Sequence, residues 1–142
     1  MTLNCLNQLK LTLMKLLKFS TGNAKLSKRL IFSIPSGYTC PGAGVCKTFA
    51  DRTTGQIRDL PQLNGTLADE FRCFAAMAET RPNVRDARWY NWDLLKETMY
   101  STDDQLGVLT ALIDLSLCTQ PVLDLCRIHE GGDFWTELYM KA

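Results

Sequence analysis

The hydrophobic positions along this chain follow a strand pattern, then helical patterns, then a strand pattern again. Short β-rich runs occupy residues 30–34 and 122–129. Between them, apolar residues recur every three or four positions at 67–78 and at 103–118, which is typical of helices packed on a core. An aromatic cluster opens a further predicted helix over 89–100. Strands separated by helices favour a parallel α/β arrangement.

The length of the chain sets the size of that arrangement. Its 142 residues suit a single domain with a substantial core, whereas a closed eight-stranded barrel takes about 250 residues. We therefore expect a single α/β domain, either a partial (β/α)-barrel-like fold or a small open parallel sheet with flanking helices. An amphipathic N-terminal extension is expected to precede the domain at residues 1–17.

The N-terminal extension combines leucines at helical spacing with interrupting lysines. Lys10, Lys15 and Lys18 break the apolar run, which is shorter than the ~7–15 residues of a secretory signal core and the ~20 residues of a membrane span. The spacing predicts an amphipathic helix that packs on the domain, with a helix on a membrane surface as the alternative. We therefore expect a cytoplasmic protein with no membrane span.

Composition and charge narrow the class of protein further. Hydrophobic residues make up 46% and charged residues 22% of the chain, as in ordinary globular domains. Sixteen basic residues against fifteen acidic ones give a net charge of +1. A protein that binds nucleic acid by neutralising phosphates usually has a large basic excess, so this near-balance argues against that class.

Six cysteines are scattered along the chain without a Cys-x-x-Cys pair. The usual spacing of a structural zinc site is therefore absent, and without a secretory signal we expect reduced thiols. Cys40 and Cys46 stand in a glycine-rich loop after the first predicted strand, where both sulfurs could reach one zinc ion or iron–sulfur cluster. Free or packing thiols are the alternative, since two ligands do not complete a tetrahedral site.

The end of the second predicted strand is the strongest candidate for a ligand site. Ligands in α/β folds collect at the carboxyl ends of strands, and here that position holds the only histidine of the chain. Alternation along a strand predicts Arg127 and His129 on one face, where the guanidinium would lower the pKa of the imidazole. Gly131 and Gly132 would let the backbone approach a ligand, and Asp133 would contact it or cap a helix that begins at the next residue. The alternative is that Asp133 is only a cap and His129 only a strand-end residue.

Two features in the middle of the chain have structural explanations. Arg81, Arg85 and Arg88 are spaced at four and three residues, which predicts one solvated helix face. The aromatic cluster at 89–92 is expected in the core, with stacking on a base or a partner surface as the alternative.

Two blocks of the sequence resemble the phage-encoded gene product 88 family. The first comprises Asn-Ala-Lys-Leu at 23–26 and the run 32–46, which contains Ile-Pro-Ser-Gly-Tyr-Thr-Cys-Pro-Gly. The second is 127–139, with Arg-Ile-His-Glu-Gly-Gly-Asp-Phe-Trp. The resemblance covers residues 18–142 and implies a viral protein that acts in the cytoplasm of an infected bacterium. The cysteine-rich opening is similar in style to radical-SAM-like barrel proteins, which would imply an iron–sulfur cluster.

The chain departs from the family pattern at two points. Family members usually carry another cysteine, followed by an aromatic residue, just after the position of Cys46, whereas residues 47–50 hold no thiol. Members also continue well past the second block, while this chain ends at Ala142. We therefore expect a natural short form, a fragment, or a domain completed by self-association as a homo-oligomer, and no intact radical enzyme.

Three functional hypotheses follow. The first is a short, phage-type host- or ligand-binding accessory protein, with a host protein or a small molecule as partner and a structural role for the cysteine loop. The second is a metal or iron–sulfur protein that uses Cys40 and Cys46 and descends from a barrel enzyme. The third is a small-molecule or nucleotide-binding module built around Arg127, His129 and the glycine pair.

Overall fold

The computed structural model describes five stretches of the chain, residues 15–22, 28–41, 48–59, 73–123 and 125–142. These stretches form four strands and four helices. In chain order they are β1 (Leu30–Phe32), β2 (Thr48–Ala50), β3 (Ile57–Asp59), α1 (Phe74–Ala78), α2 (Pro82–Met99), α3 (Gln105–Cys118), β4 (Cys126–Ile128) and α4 (Glu137–Lys141).

The strands form two separate pairs. β1 and β4 pair in parallel, with Leu30 opposite Cys126 and Phe32 opposite Ile128, while β2 and β3 form an antiparallel hairpin. The parallel pair joins strands from opposite ends of the described chain across the intervening helices. The predicted mixed α/β domain with a small open parallel sheet and flanking helices is therefore confirmed, and no closed barrel forms within the described stretches.

The core lies between β1 and the two longest helices. α2 and α3 pack against each other and bury leucines at helical spacing, while α4 closes the core with Tyr139. Burying one such leucine contributes about 1.5–3 kcal/mol. The cluster comprises Leu17, Phe32, Ile34, Leu94, Leu95, Met99, Leu109, Leu112 and Tyr139. Trp89 is buried as well, which confirms that the aromatic cluster contributes to the interior.

Several element boundaries differ from those that the sequence predicts. α2 begins at Pro82, whose fixed backbone suits a first helical turn. α3 is capped by Asp104, which accepts a hydrogen bond from the Gly107 N–H. The last helix is capped by Thr136, so Asp133 is not its cap. The physical reason is that Asp133 instead accepts a hydrogen bond from the N–H of the adjacent residue, before any helical turn begins.

Two predictions fall wholly or partly outside the described stretches. Of the helix predicted at 67–78, only Phe74–Ala78 is described, and there Phe74 is 78% exposed while Ala76 is buried. The N-terminal extension is described only from residue 15, where Leu17 enters the core. In the described part of the chain, no helix is long and apolar enough to cross a membrane.

Candidate functional site

The chain that follows β4 runs along the chain that follows β1. The N–H of His129 donates to the carbonyl of Phe32 at 2.9 Å, and the N–H of Ile34 donates to the carbonyl of Gly131 at 3.1 Å. The Gly131 N–H in turn donates to the Ser33 hydroxyl at 3.3 Å. The predicted strand-end segment therefore lies at the carboxyl ends of both parallel strands, the usual position of ligand sites in α/β folds.

Both glycines of this segment are packed against other parts of the protein. A Cβ atom on Gly131 would lie 2.5 Å from Cζ of Arg88, and one on Gly132 would lie 2.5 Å from the hydroxyl oxygen of Thr39. Gly132 also has a φ of 81°, a conformation that favours glycine. These contacts explain why small residues are needed here. The part that both glycines would play in binding a ligand stays a prediction.

Arg88 is the central charged group at this edge of the sheet. Its side chain comes from α2 and is only 4% exposed. The Nη1 atom donates to Oε1 of Glu79 at 2.7 Å and to the carbonyl of Ala75 at 2.8 Å. Glu79 is fully buried, and its Oε1 also accepts from the N–H of Ser36 at 2.8 Å. A buried ion pair held in this way fixes the guanidinium in one orientation.

A pocket of about 200 Å³ opens beside the Arg88 guanidinium. The carboxylate of Glu130 borders it, with Oε2 at 3.9 Å from Nη2 of Arg88, beyond hydrogen-bond range. Lys18 also lines the pocket, and its exposed side chain, whose Nζ lies 4.3 Å from the centroid of the Tyr90 ring, adds a second positive charge near the pocket. The remaining wall comes from β1, α2 and the segment that precedes β1.

The prediction of one solvated arginine face is wrong for two of its three members. Arg88 and Arg85 are both buried, and only Arg81 is exposed. Arg85 donates to the carbonyls of Glu79 at 3.0 Å and Thr80 at 3.3 Å. The physical reason is that acceptors in α1 and in the turn before α2 engage both guanidinium groups, so the spacing of Arg85 and Arg88 marks an inward-facing side of the helix.

His129 lies on the other side of the strand pair from Arg127. Its φ of 61° interrupts the strand alternation, so its ring packs edge-on against Phe32 at 6.0 Å and Phe134 at 4.7 Å between centroids. Arg127 pairs in register with Ile31 and points to the opposite face, where it is exposed. The prediction of one shared face is therefore wrong, because the alternation on which it depends ends at the left-handed residue.

The pKa of His129 is lowered, as predicted, but for a different reason. Burial is the main cause, while Asp133 and the backbone of Gly131 oppose the shift. The Nε2 atom lies 3.2 Å from the hydroxyl of Tyr139, whose own pKa is raised by burial. The Nδ1 atom is buried without a partner in hydrogen-bond geometry among the described residues. His129 is therefore a neutral imidazole at pH 7.

Arg127 and Asp133 are exposed at the surface. Arg127 makes no ion pair with the part of the chain that the structure describes. Asp133 accepts from the N–H of Phe134 at 2.7 Å, and its own N–H donates to the Thr39 hydroxyl at 3.3 Å. Their proposed contacts with a ligand stay predictions.

Of the two predicted metal ligands, the structure describes only Cys40. Cys40 is half-buried, and burial is the main cause that raises the pKa of its thiol, with smaller contributions in the same direction from Cys73 and Asp133. Cys46 lies outside the described residues. Among those that are described, no group of three or more His, Cys, Asp or Glu side chains could hold a metal ion, and zinc or iron–sulfur binding stays a prediction.

Fold and site together define a small mixed α/β protein with a polar pocket at the carboxyl ends of a parallel strand pair. The Gene product 88 family model matches residues 14–142, nearly the whole chain, and this chain belongs to that family. This confirms the resemblance that the two sequence blocks carry. No curated protein and no solved structure matches the chain.

Proposed function

We propose that this protein is a ligand-binding accessory protein that takes up a small carboxylate in the pocket beside Arg88. The observation that carries the proposal is an arginine, Arg88, that is only 3% exposed and yet lines a pocket of about 200 Å³. Burying an ion pair such as Arg88–Glu79 rarely gains net stability over apolar packing. A functional use of the guanidinium therefore explains the pair better than stability does.

The orientation of Arg88 suits recognition of a carboxylate. The Nη1 atom of Arg88 donates hydrogen bonds to Glu79, Ala75 and Ser36, at 2.7, 2.8 and 3.5 Å. The Nη2 atom makes no hydrogen bond with the described residues. A planar guanidinium presents paired donors that match the two oxygens of a carboxylate. Because the group is already held in place, a ligand does not have to order it on binding.

The charges around the pocket decide which ligands are favoured. Glu79 neutralises Arg88, Lys18 adds a positive charge near the pocket, and Glu130 adds a negative one. An anionic ligand is attracted by Lys18 and Arg88 and competes with Glu130 for the guanidinium. Affinity should therefore respond in opposite directions to the loss of Lys18 and the loss of Glu130.

The dimensions of the pocket limit the ligand to a small molecule. An engineered apolar cavity of about 150 Å³ holds benzene, so about 200 Å³ suits benzoate or a four-carbon dicarboxylate such as succinate. Phe19, Ile31 and Val84 give the pocket an apolar wall. The amide of Asn91 is already engaged by the backbone of Lys18 and Ser33 and would not bind the ligand.

Thermal unfolding at constant ionic strength tests the proposal. Benzoate or succinate at 100 times its Kd would add about 2.7 kcal/mol, which corresponds to about 5–10 °C in Tm for a chain of this size. Chloride at the same ionic strength should give no shift. Lys18→Met should weaken the Kd about two- to fivefold, as expected for one exposed charge.

Lys15→Met is the matched control. Lys15 is an exposed lysine three residues away that pairs with Glu97 and does not line the pocket. Its replacement should leave the Kd unchanged. If neither carboxylate shifts Tm, or if both lysine variants weaken binding equally, the proposal is contradicted.

A further inference from the structure

A second pocket lies on the opposite face of the parallel strand pair. Ile31 and Ser33 of the first strand segment line the Arg88 pocket, whereas the intervening Phe32 lines this one, together with Ile128 and Cys126 of β4. Side chains alternate between the two faces of a strand, so Phe32 borders a different pocket from Ile31 and Ser33, while Phe19 borders both pockets. The volume of this second pocket is about 210 Å³.

The second pocket is apolar and carries no charged side chain. Four aromatic rings contribute to its walls, and α3 closes one side with Leu117. The side-chain polar groups that line it are the thiol of Cys126 and the hydroxyl of Tyr139. Burial raises the pKa of both groups, so both are neutral at pH 7. An anionic ligand would lose its hydration here without gaining a counter-ion, at a large cost.

We propose that this second pocket binds a neutral, planar aromatic molecule of about two fused rings. The size follows from comparison with the apolar cavity of about 150 Å³ that holds benzene. The flatness follows from the rings of Phe19, Phe32, Phe134 and Tyr139, which offer faces and edges for stacked and edge-on contacts. The Tyr139 hydroxyl, which lies 3.2 Å from Nε2 of His129, is positioned to hydrogen-bond a ring N–H or hydroxyl.

The mouth of the pocket supports a ligand role. Ile128, Met140 and Phe134 are 55%, 59% and 39% exposed, and all three border it. Apolar side chains exposed around an opening cost free energy in water. A bound aromatic molecule would cover them and the Cys126 thiol together.

Alkylation of Cys126 with iodoacetamide, read by mass spectrometry of the full-length protein after digestion, tests the proposal with indole as the probe. Saturating indole should slow the alkylation of Cys126 by about tenfold, because the thiol lines the pocket. Cys118, which is exposed at the end of α3 and does not line the pocket, is the internal control and should react at an unchanged rate. Indole-3-carboxylate and succinate should not protect Cys126.

Two tryptophan substitutions on α3 form a matched pair. Leu115 and Leu117 are both 39% exposed, but only Leu117 lines the pocket. Leu117→Trp fills the pocket and should abolish protection by indole, whereas Leu115→Trp should retain it. The inference is overturned if indole gives no protection, or if both variants behave alike. It is also overturned if Cys126 is unreactive without indole, since another part of the chain or a second copy would then occupy the pocket. Because indole carries no charge, failure here leaves the carboxylate proposal untouched.

Discussion

Replacing Gly131 with alanine places a single methyl group against the buried ion pair of Arg88 and Glu79. Gly131 does not adopt a left-handed conformation, so its backbone accepts alanine without strain. The added Cβ would lie 2.5 Å from Cζ of Arg88, which is much closer than van der Waals contact. The guanidinium must therefore move away from its carboxylate partner Glu79.

The cost follows from what the guanidinium loses. Removing one partner of a buried ion pair costs about 3–5 kcal/mol, and the hydrogen bond from Nη1 to the carbonyl of Ala75 would be lost as well. The change from glycine to alanine also raises the free energy of unfolding by about 0.4–1 kcal/mol, because it lowers the conformational entropy of the unfolded chain. We therefore expect Gly131→Ala to lower the free energy of unfolding by about 2–4 kcal/mol, or Tm by about 6–12 °C.

Urea denaturation followed by tryptophan fluorescence measures this change, because Trp89, Trp92 and Trp135 all report on the core region. The control is the same substitution in a Glu79→Leu/Arg88→Met background, where no guanidinium obstructs the methyl group. There the cost should fall below about 1 kcal/mol, and the difference is the coupling between the two sites. A loss under about 0.5 kcal/mol in the wild type, or an equal loss in both backgrounds, would refute the reasoning.

Three further predictions concern other contacts. Asn91→Ala removes hydrogen bonds that tie the segment before β1 to α2, and it should lower the free energy of unfolding in urea by about 2–4 kcal/mol. Asn83→Ala, at an exposed position of the same helix, should lower it by less than about 0.5 kcal/mol, and equal losses for the two variants would contradict this prediction. The pKa of His129 lies below its unfolded value of 6.5, so the unfolded state takes up the proton first and stability should fall as pH drops below about 6.5. His129→Asn, which accepts a positive φ, should flatten that slope between pH 7 and 5 in denaturation curves, and an unchanged slope would assign it to other groups. Thr136→Ala removes the cap of α4 and should cost about 1 kcal/mol in urea denaturation, whereas Thr136→Ser should keep most of it; a cost-free alanine would show that the cap does not stabilise the helix.

The sequence predicts those elements of the fold that depend on the hydrophobic pattern of neighbouring residues. Hydrophobic periodicity placed the helix at 103–118 almost where Gln105–Cys118 lies, and β-rich runs marked both strands of the parallel pair. The prediction failed at His129, because alternation assumes an extended backbone and one left-handed residue turns the ring to the other face. Residue spacing does not report such a φ value.

Arg88 shows why the centre of the site was missed. Its spacing from Arg81 and Arg85 suggested a solvated face, yet it precedes the fully buried Leu95 by seven residues, two helical turns, on the same side of α2. The shared helix face of Arg88 and Leu95 therefore indicates from the sequence that Arg88 is buried. What the sequence could not supply was the partner, because Glu79 reaches the guanidinium through the turn between α1 and α2, and such tertiary contacts have no fixed spacing.

The most direct test of the carboxylate site is the affinity of Glu130→Gln for benzoate or succinate, measured by calorimetry at pH 7 against the wild type. Glu130 lies 3.9 Å from Nη2 of Arg88, and its side chain is 24% exposed. Two charges about 4 Å apart interact by about 1 kcal/mol even when fully solvated. Loss of the competing carboxylate should therefore tighten binding at least about fivefold. An unchanged or weaker affinity would contradict the assignment of this pocket to an anionic ligand.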